Sequence, residues 1–286
     1  MSDFLLEQIP KDLITYFDNR KASFFVGAGL SRSVGLPDWY TLLCELIDRV
    51  EKVIPNSKAY ADECRELVKY PEAFLTIAQE LREKLDTSEF NKYIRERFVD
   101  QRPDPNEAFK LIVDMPYNYI ITTNYDYLIE DAYAHVHRKT AKKYTYRQAQ
   151  AMADNIWNGY PFILKAHGDA DEPDKIVLTE RDYRNLINAE VGYKSILQVL
   201  FTTNTILFIG TSLTDPELKL LLGFLRHFYH EGGPVHYALM DETQLTSITA
   251  ERWRKDYGIN IIRYNPIYDH QQVLQFLTLL HGNIKR

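Results

Sequence analysis

The chain alternates between short, continuously apolar runs and longer segments in which apolar residues recur at helical spacing. Continuous apolar runs are typical of strands buried on both faces of a parallel sheet. The predicted strands are Ser23–Val26, Tyr119–Thr123, Phe162–Ala166, Lys175–Leu178, Thr205–Ile209, Val235–Met240 and Asn260–Tyr264. The helical stripes are Leu42, Leu43, Leu46, Ile47, Val50 and Val53; Leu218, Leu221, Leu222, Leu225 and Phe228; and Val273, Leu274, Leu277 and Leu280. This alternation predicts an α/β fold with a Rossmann-like, mainly parallel sheet flanked by helices.

The intervals between the predicted strands differ in length. From 41 to 109 the apolar spacing is helical and no strand pattern occurs, which predicts a helical insertion after the first strand. A polar stretch rich in Tyr and Lys predicts a smaller insert at 128–159. No repeat, low-complexity tract or Pro/Ser-rich linker divides the chain, so we expect one domain over 1–286.

Charge argues against a polyanionic partner. The chain has 34 Lys and Arg against 40 Asp and Glu, which gives a formal net charge of −6. No bulk positive field therefore draws it to nucleic acid or to a membrane surface. The basic residues at 138–147 are interleaved with tyrosines, and we interpret them as a solvated face or a protein-binding surface.

Cysteine content and hydropathy indicate the compartment. Cys44 and Cys64 are the two cysteines of the chain, and they lack Cys-x-x-Cys spacing, so a disulfide framework and a thiolate zinc site are excluded. No apolar run approaches the roughly 18–20 residues of a membrane span. The opening Met1-Ser2-Asp3 has no secretory pattern. We expect a cytoplasmic protein with no membrane association and no bound metal.

The first segment with candidate chemistry is a strand that runs into small residues. Gly27, Ala28 and Gly29 allow close approach of a phosphate, and Ser31 offers a hydroxyl to the same anion. A dinucleotide fingerprint would have a third glycine where Arg32 stands, which argues against a standard dehydrogenase. A tight strand-to-loop turn is the alternative interpretation.

Two further strands end in polar side chains. Asn124 and Asp126 follow the second predicted strand, and His167 follows the third. Ligands of open α/β sheets bind outside the carboxyl ends of the strands, and histidine suits proton transfer near neutral pH. The alternatives are helix capping by Asn124 or Asp126 and a structural role for His167.

A fourth strand ends in Gly210, Thr211 and Ser212, a small and polar set that suits ribose or phosphate. Asp215 and Pro216 follow at the first positions of a predicted helix. Helix capping accounts for Asp215, so we assign it no catalytic role.

These segments, taken together, resemble the motifs of sirtuins. Gly27–Ser31 followed by Gly35–Trp39 resembles their opening Gly-Ala-Gly-x-Ser segment, and Thr123–Asp126 resembles their Thr-Gln-Asn-Ile-Asp motif. His167–Gly168 resembles the catalytic His-Gly, and Gly210–Ser212 resembles the Gly-x-Ser ribose loop. The four motifs occur in the family's order over most of the chain.

Two departures indicate the branch of the family. The chain lacks the four-cysteine zinc ribbon of protein-deacylating sirtuins, and Thr123 and Tyr125 replace the Gln and Ile of the Asn motif. The helical insert after Trp39 and the run Val177–Tyr183 are similar to the sirtuin-like subunits of bacterial antiphage systems. This resemblance implies NAD hydrolysis that depletes the infected cell. It also implies homo-oligomers and a separate partner such as a HerA-type ATPase or another sensor subunit.

The resemblance also implies roles for individual residues. Asn124 orients water or the ribose at the anomeric carbon, His167 is the general base, and Asp126 holds the nicotinamide carboxamide. The positions assigned to NAD binding are Gly27, Ala28, Gly29, Ser31, Asp38, Trp39, Thr123, Asp126, Gly210, Thr211 and Ser212. From crevice geometry alone, Tyr264 is expected to line the adenine pocket.

Other activities stay open at this point. One keeps the family and changes the acceptor, giving NAD-dependent deacylation of a protein or ADP-ribose transfer to it. Another is a non-catalytic NAD or ADP-ribose sensor. All of them require that Asn124, His167 and the glycine turn at 27–29 meet at one site.

Overall fold

Seven parallel strands form one sheet in the computed structural model of the protein, which describes residues 3–230 and 232–285. The strands are β1 (Ala22–Val26), β2 (Tyr119–Thr122), β3 (Lys143–Thr145), β4 (Phe162–Lys165), β5 (Thr205–Ile209), β6 (His236–Asp241) and β7 (Ile259–Tyr264). Their order is β3-β4-β2-β1-β5-β6-β7, and every pairing is parallel. The predicted fold class is confirmed. Met1 and Ser2 belong to the segment in which no secretory pattern was found, and they lie outside the described residues.

The predicted strand at Lys175–Leu178 is wrong. Pro173–Lys175 forms a short 3-10 helix, and the three residues after it are extended but belong to no strand. Ile176, Val177 and Leu178 are nevertheless buried, so their apolar character reflects a loop packed under neighbouring elements. The pattern also missed β3, because its three residues are polar or half-buried and lie at the sheet edge. β3 falls within the predicted insert at 128–159 and pairs with β4.

Helices cover both faces of the sheet and fill the intervals between strands. They are α1 (Lys11–Asp18), α2 (Ala28–Ser31), α3 (Trp39–Val53), α4 (Lys58–Leu67), α5 (Phe74–Lys84), α6 (Thr87–Arg95), α7 (Glu107–Asp114), α8 (Leu128–His137), α9 (Ala149–Asn158), α10 (Glu180–Ala189), α11 (Val191–Thr203), α12 (Pro216–Phe228), α13 (Ser247–Tyr257) and α14 (Ile267–Asn283). The helices α3 to α7 occupy the interval between β1 and β2. A π-helical turn at Glu96–Asp100 follows α6.

Two hydrophobic cores lie on opposite faces of the sheet. Phe24 and Val26 of β1 belong to one cluster, which includes the helices inserted after β1, and Phe25 belongs to the other. Because both faces are covered, the central strands β1, β2 and β5 are buried at every position, as the mainly apolar sequence pattern predicted. The stripe on α12 is buried at four of its five predicted positions. Phe228 is the exception, with 60% of its surface exposed.

The connectivity reverses direction at β1. The chain passes from β1 to β2 on one side and later returns from β4 to β5 on the other side of β1. In open α/β sheets such a switch point separates the loops that follow neighbouring strands and creates a ligand crevice at their carboxyl ends. The loops after β1, β2, β4 and β5 all meet at this edge. None of the helices in the described ranges is long and apolar enough to cross a membrane.

Candidate active site

The glycine turn after β1 packs directly on the loop after β5. The Gly29 N–H donates to the Gly210 carbonyl at 2.8 Å, and the Gly27 N–H donates to the Ile209 carbonyl at 2.9 Å. A Cβ atom at Gly27 would lie 2.5 Å from the Gly210 oxygen, and Gly210 itself has a positive φ of 67°. Glycine is therefore required here for the contact between two strand-end loops, whatever ligand lies beside them.

A hydrogen-bond network joins the first loop to the loop after β2. The Asn124 Nδ2 donates to the Ser31 hydroxyl oxygen at 2.9 Å, and that hydroxyl donates to Asp126 Oδ2 at 2.8 Å. Asp126 Oδ1 accepts from the Leu128 N–H at 3.0 Å, a bond to the first residue of α8 from the position before its N-cap, Tyr127. Both Asp126 oxygens therefore have protein partners. Asn124 caps no helix, and its Oδ1 is buried without a hydrogen-bond partner in the protein.

A fully buried lysine holds the loop after β2 through two of its backbone carbonyls. Lys165, the last residue of β4, donates from Nζ to the carbonyls of Tyr125, at 3.2 Å, and Asp126. Burial raises the pKa of Asp126, and the positive charge of Lys165 opposes that rise. The next carboxyl, Glu130, lies 3.3 Å from Lys165 Nζ, and burial raises its pKa in the same way. Lys165 therefore connects the end of β4 to the Asn124 loop.

His167 lies in the loop after β4 and faces acidic groups from the loop after β5. Its Nε2 is 3.3 Å from Asp215 Oδ2 and 4.0 Å from Glu217 Oε2. The Tyr183 hydroxyl donates to Asp215 at 2.7 Å, and the ring of Tyr183 packs edge-on against the imidazole at 5.1 Å. Burial lowers the pKa of His167, and the charge of Asp215 partly offsets this. The imidazole is therefore neutral near pH 7, as a general base must be.

Asn124 and His167 occupy equivalent positions on adjacent strands. Thr122 of β2 pairs with Lys165 of β4, and each polar residue comes two positions after its paired residue. Asn124 is 7% exposed and His167 is 3% exposed, and each retains a buried polar atom without a hydrogen bond. The strand register thus places these two side chains at corresponding positions beyond neighbouring strands at the switch point.

The remaining predicted positions have different environments. Asp38 caps α3 through the Thr41 N–H and contacts Arg32 at 3.2 Å, and Trp39 packs on Phe74 with 5.7 Å between ring centroids. The Thr211 hydroxyl oxygen accepts from the Leu213 N–H, whereas Ser212 is exposed and pairs with Thr214. Thr123 is half-buried, and Tyr264 lies on the edge strand β7, where its hydroxyl contacts His270 at 2.8 Å.

Comparison with known proteins identifies the family. A family model described as a SIR2-like domain matches residues 118–262, about half of the chain. The matched span includes Asn124, His167 and Asp215. The chain belongs to the SIR2-like family.

Relatives of this SIR2-like chain carry names that refer to NAD and to defence. It is 27% identical over 292 residues to the "NAD(+) hydrolase ThsA" of Bacillus cereus (strain MSX-D12), covering 98% of this chain and 58% of that protein. It is 28% identical over 222 residues to the "Defense-associated sirtuin 2" of Bacillus subtilis, covering 76% of this chain and 20% of that protein. The SIR2-like chain thus spans 58% of the first relative and less of the second.

A solved structure described as "Sir2 bound to acetylated peptide" aligns with a TM-score of 0.46 and 13% identity, covering 97% of this chain and 100% of that one.

At the Asn motif, the SIR2-like chain uses Tyr125 as a core residue. Its ring packs edge-on against Phe98 at 5.6 Å, and its hydroxyl donates to the Val177 carbonyl at 2.7 Å. The substitution of Ile by Tyr noted in the sequence therefore anchors the loop at 176–178.

Sequence reasoning missed several residues of this site. Asp215 caps α12 as predicted, through the Leu218 N–H at 2.9 Å, but its second oxygen faces His167. Glu217, Tyr183 and Lys165 were not singled out for chemistry. Asp215 and Glu217 follow closely after a buried strand, which was the available signal, whereas the position of Tyr183 depends on how α10 packs.

Two further expectations concern metals and thiols. His167, Asp215 and Glu217 are the one set of three potential metal ligands that comes together in the described part of the chain, with donor atoms within 4.8 Å of one another. The sequence argument against a metal considered cysteines and the histidine pairs 135/137 and 227/230 but not this set, so the expectation of no metal stays a prediction. Cys44 and Cys64 are both free thiols.

Proposed function

We propose that this SIR2-like chain hydrolyses NAD⁺ at the nicotinamide–ribose bond and releases nicotinamide and ADP-ribose. The observation that carries the proposal is the placement of Asn124 and His167, both buried, two residues beyond the paired ends of the adjacent strands β2 and β4. The buried Asn124 Oδ1 has no hydrogen-bond partner among the described residues, which leaves it free to bind a water. The relatives named as NAD(+) hydrolases support the same reaction.

The proposed reaction needs one water and one proton acceptor. The C1′–N bond breaks and its electron pair leaves with nicotinamide, while the water oxygen forms the new bond to C1′. His167, neutral near pH 7, takes the proton from that water and later returns it to solvent. Asn124 Oδ1 accepts a hydrogen bond from the water and orients it, while Ser31 and Asp126 hold the amide in place.

Binding of the remainder of NAD⁺ is assigned to the loops on either side of the switch point. We propose that the turn at 27–31 and the loop at 210–212 border the phosphates and riboses. In this arrangement Asp126 acts through Ser31 and does not need a free oxygen for the nicotinamide carboxamide. The half-buried Trp39 adjoins the turn, and Tyr264 is assigned to the adenine end.

Access to the site requires movement. Ser31, Asn124, Asp126 and His167 are between 1% and 7% exposed, and Tyr183 of α10 covers the imidazole. Catalysis must therefore include a step in which this cover opens. We infer that assembly with a separate subunit, such as a HerA-type ATPase or another sensor, controls that step. Such control would confine NAD depletion in the cytoplasm to infected cells.

Nicotinamide release is the measurement that tests the proposed reaction. We expect the purified chain, alone or with the product of the neighbouring gene, to convert NAD⁺ to nicotinamide and ADP-ribose, followed by chromatography. Asn124→Ala and His167→Ala should each lower turnover by at least about 100-fold, because each removes a group that acts on the reacting atoms. His227→Ala, an exposed histidine on α12, should leave turnover unchanged.

The same experiment separates the alternatives. Cleavage by the His167→Ala protein at the parental rate would contradict the assignment of the base. Tight NAD⁺ binding without nicotinamide release would favour a sensor. Loss of acyl groups from acylated peptides, followed by mass spectrometry, would favour a deacylase.

The outer face of α12 supports the expected homo-oligomer. Leu220, Phe224 and Phe228 are 61%, 48% and 60% exposed, and they recur every fourth residue on one side of the helix. Phe224 and Phe228 stack at 5.5 Å. An exposed apolar stripe of this size is typical of a protein–protein interface. We propose that a second copy of the chain covers it.

A further inference from the structure

His167 receives an acidic partner from the other side of the switch point. Asp215 comes from the loop after β5, His167 comes from the loop after β4, and the strands β2 and β1 lie between them in the sheet. The two side chains therefore reach towards each other from opposite sides of the switch point, and Asp215 Oδ2 lies 3.3 Å from His167 Nε2. Nothing in the local sequence around either residue requires this meeting.

Asp215 is held in place independently of His167. Its Oδ1 accepts from the Leu218 N–H at 2.9 Å, as the N-cap of α12. Its Oδ2 accepts from the Tyr183 hydroxyl at 2.7 Å, and the Tyr183 ring in turn packs against the imidazole. A carboxyl group fixed from two sides can hold a histidine ring in a defined orientation.

The surroundings of the imidazole determine which nitrogen carries the proton. Nε2 is buried and faces the acceptor oxygens of Asp215 and, at 4.0 Å, Glu217. A bare lone pair on Nε2 would be repelled by the Asp215 oxygen at 3.3 Å, whereas an N–H is attracted. In the described part of the chain, Nδ1 makes no hydrogen bond. The 3.3 Å separation is long for a hydrogen bond, as is common in catalytic sites before substrate binds.

We propose that Asp215 is a positioning residue for His167: it accepts the Nε2–H hydrogen bond, selects that tautomer and leaves Nδ1 to take the proton from the attacking water. The inference rests on the proposed NAD⁺ hydrolysis and extends it. The competing interpretation is that Asp215 only caps α12. The two interpretations predict different values of kcat for a variant in which residue 215 loses its charge but still caps α12.

Asp215→Asn makes that distinction, since asparagine caps helices as well as aspartate does. We expect kcat for NAD⁺ cleavage to fall by about 10²- to 10⁴-fold while KM stays within about threefold, because the neutral amide no longer selects the tautomer. Asp86→Asn is the matched control, since Asp86 caps α6 through the Glu89 N–H at 2.8 Å, away from the site. It should retain parental kcat. Parental kcat in Asp215→Asn would overturn the proposal.

The tautomer itself can be read without substrate. In protein labelled with ¹⁵N at histidine, we expect His167 to show the Nε2–H form, and Asp215→Asn to shift it towards the Nδ1–H form. His236 is the internal reference, because its Nδ1 accepts from the Ile206 N–H at 3.1 Å and its proton must lie on Nε2. His167→Ala identifies the signal by its disappearance.

Besides parental kcat in Asp215→Asn, three results would overturn the proposal. They are an Nδ1–H tautomer at His167 in the parental protein, a tautomer that does not change in Asp215→Asn, and a stoichiometric metal ion bound through His167. Absence of NAD⁺ cleavage in every protein would reject the proposed function alone, because the tautomer assignment does not need turnover.

Discussion

Glu217 is a residue beside His167 whose ionisation is strongly disturbed by burial. Its side chain is 13% exposed, and it lies close to Asp215 on the first turn of α12. Burial, reinforced by the negative charge of Asp215, raises the pKa of Glu217 to about 8. The Tyr193 hydroxyl, 3.2 Å away, opposes this rise only in part. In the folded protein near pH 7, Glu217 is therefore mostly protonated.

Glu217→Gln should change the pH dependence of stability. The pKa is about 8 in the folded state and about 4.5 in the unfolded state, so between these values the unfolded chain holds fewer protons. Stability consequently falls as pH rises through this window, by at most about 1.4 kcal/mol per pH unit. Glutamine imitates the protonated form, so the variant should lose this slope and gain stability at pH 7. Urea unfolding at pH 5, 6, 7 and 8 measures the free energy of unfolding and its dependence on pH.

The control for this prediction is Glu66→Gln on the exposed surface of α4, which should keep the parental slope. An unchanged slope in Glu217→Gln would mean that Glu217 is ionised in the folded state at pH 7.

At the scale of elements, one buried lysine connects the loops that follow β2 and β4. Lys165 Nζ contacts backbone carbonyls of the β2–α8 loop and lies 3.3 Å from Glu130 and 3.8 Å from Asp169. It is 0% exposed, although a charged group is costly to bury unless it is paired. The arrangement is satisfied only while β4, the Asn124 loop and α8 keep their relative positions.

Lys165→Met should be strongly destabilising. It leaves the buried carboxyl groups of Glu130 and Asp169 without their shared cation, a change that typically costs about 3–5 kcal/mol. Lys143 lies 2.7 Å from Asp169 and 4.0 Å from Glu130, but it is 30% exposed and therefore compensates for the loss only in part. The free energy of unfolding in urea measures the loss. Lys175→Met, which breaks an exposed ion pair with Glu172, should cost less than about 1 kcal/mol. Equal losses in the two variants would refute the role of burial.

At the scale of the whole molecule, the apolar surface of α12 remains uncovered in the single chain. Its inner face, with Leu218, Leu221, Leu222 and Leu225, is buried against the sheet, so the helix is apolar on two sides. A surface helix normally keeps a polar outer face. The second apolar face therefore needs a partner, and the proposed partner is another copy of the chain.

Phe224→Glu should dissociate that assembly. A charge introduced among Leu220 and Phe228 opposes burial of the stripe, and light scattering after gel filtration should then give a mass near 33.6 kDa in place of a multiple of it. Ile248→Glu on α13, 78% exposed in the single chain and away from the stripe, should keep the parental mass. A parental protein of 33.6 kDa would refute the proposed oligomer.

The sequence determined the class of the fold. Its strands are continuously apolar and the segments between them have apolar residues at helical spacing, and few arrangements bury both the strands and the apolar helix faces. It also determined the four strand-end motifs, since glycine and small polar residues directly after buried strands are local features. Local patterns gave a wrong prediction at 176–178, where a buried loop has the apolar character of a strand. They also missed β3, because this edge strand is polar.

Only the tertiary structure decided which groups meet. Strand order brings Asp215 to His167 from across the sheet, packs Gly27 on Gly210, and places Lys165 under the Asn124 loop. These contacts join residues separated by tens to hundreds of positions, and no periodicity records them. The residue types at the site follow from the sequence. Their protonation, partners and enclosure follow from burial and pairing, which exist only once the sheet has formed.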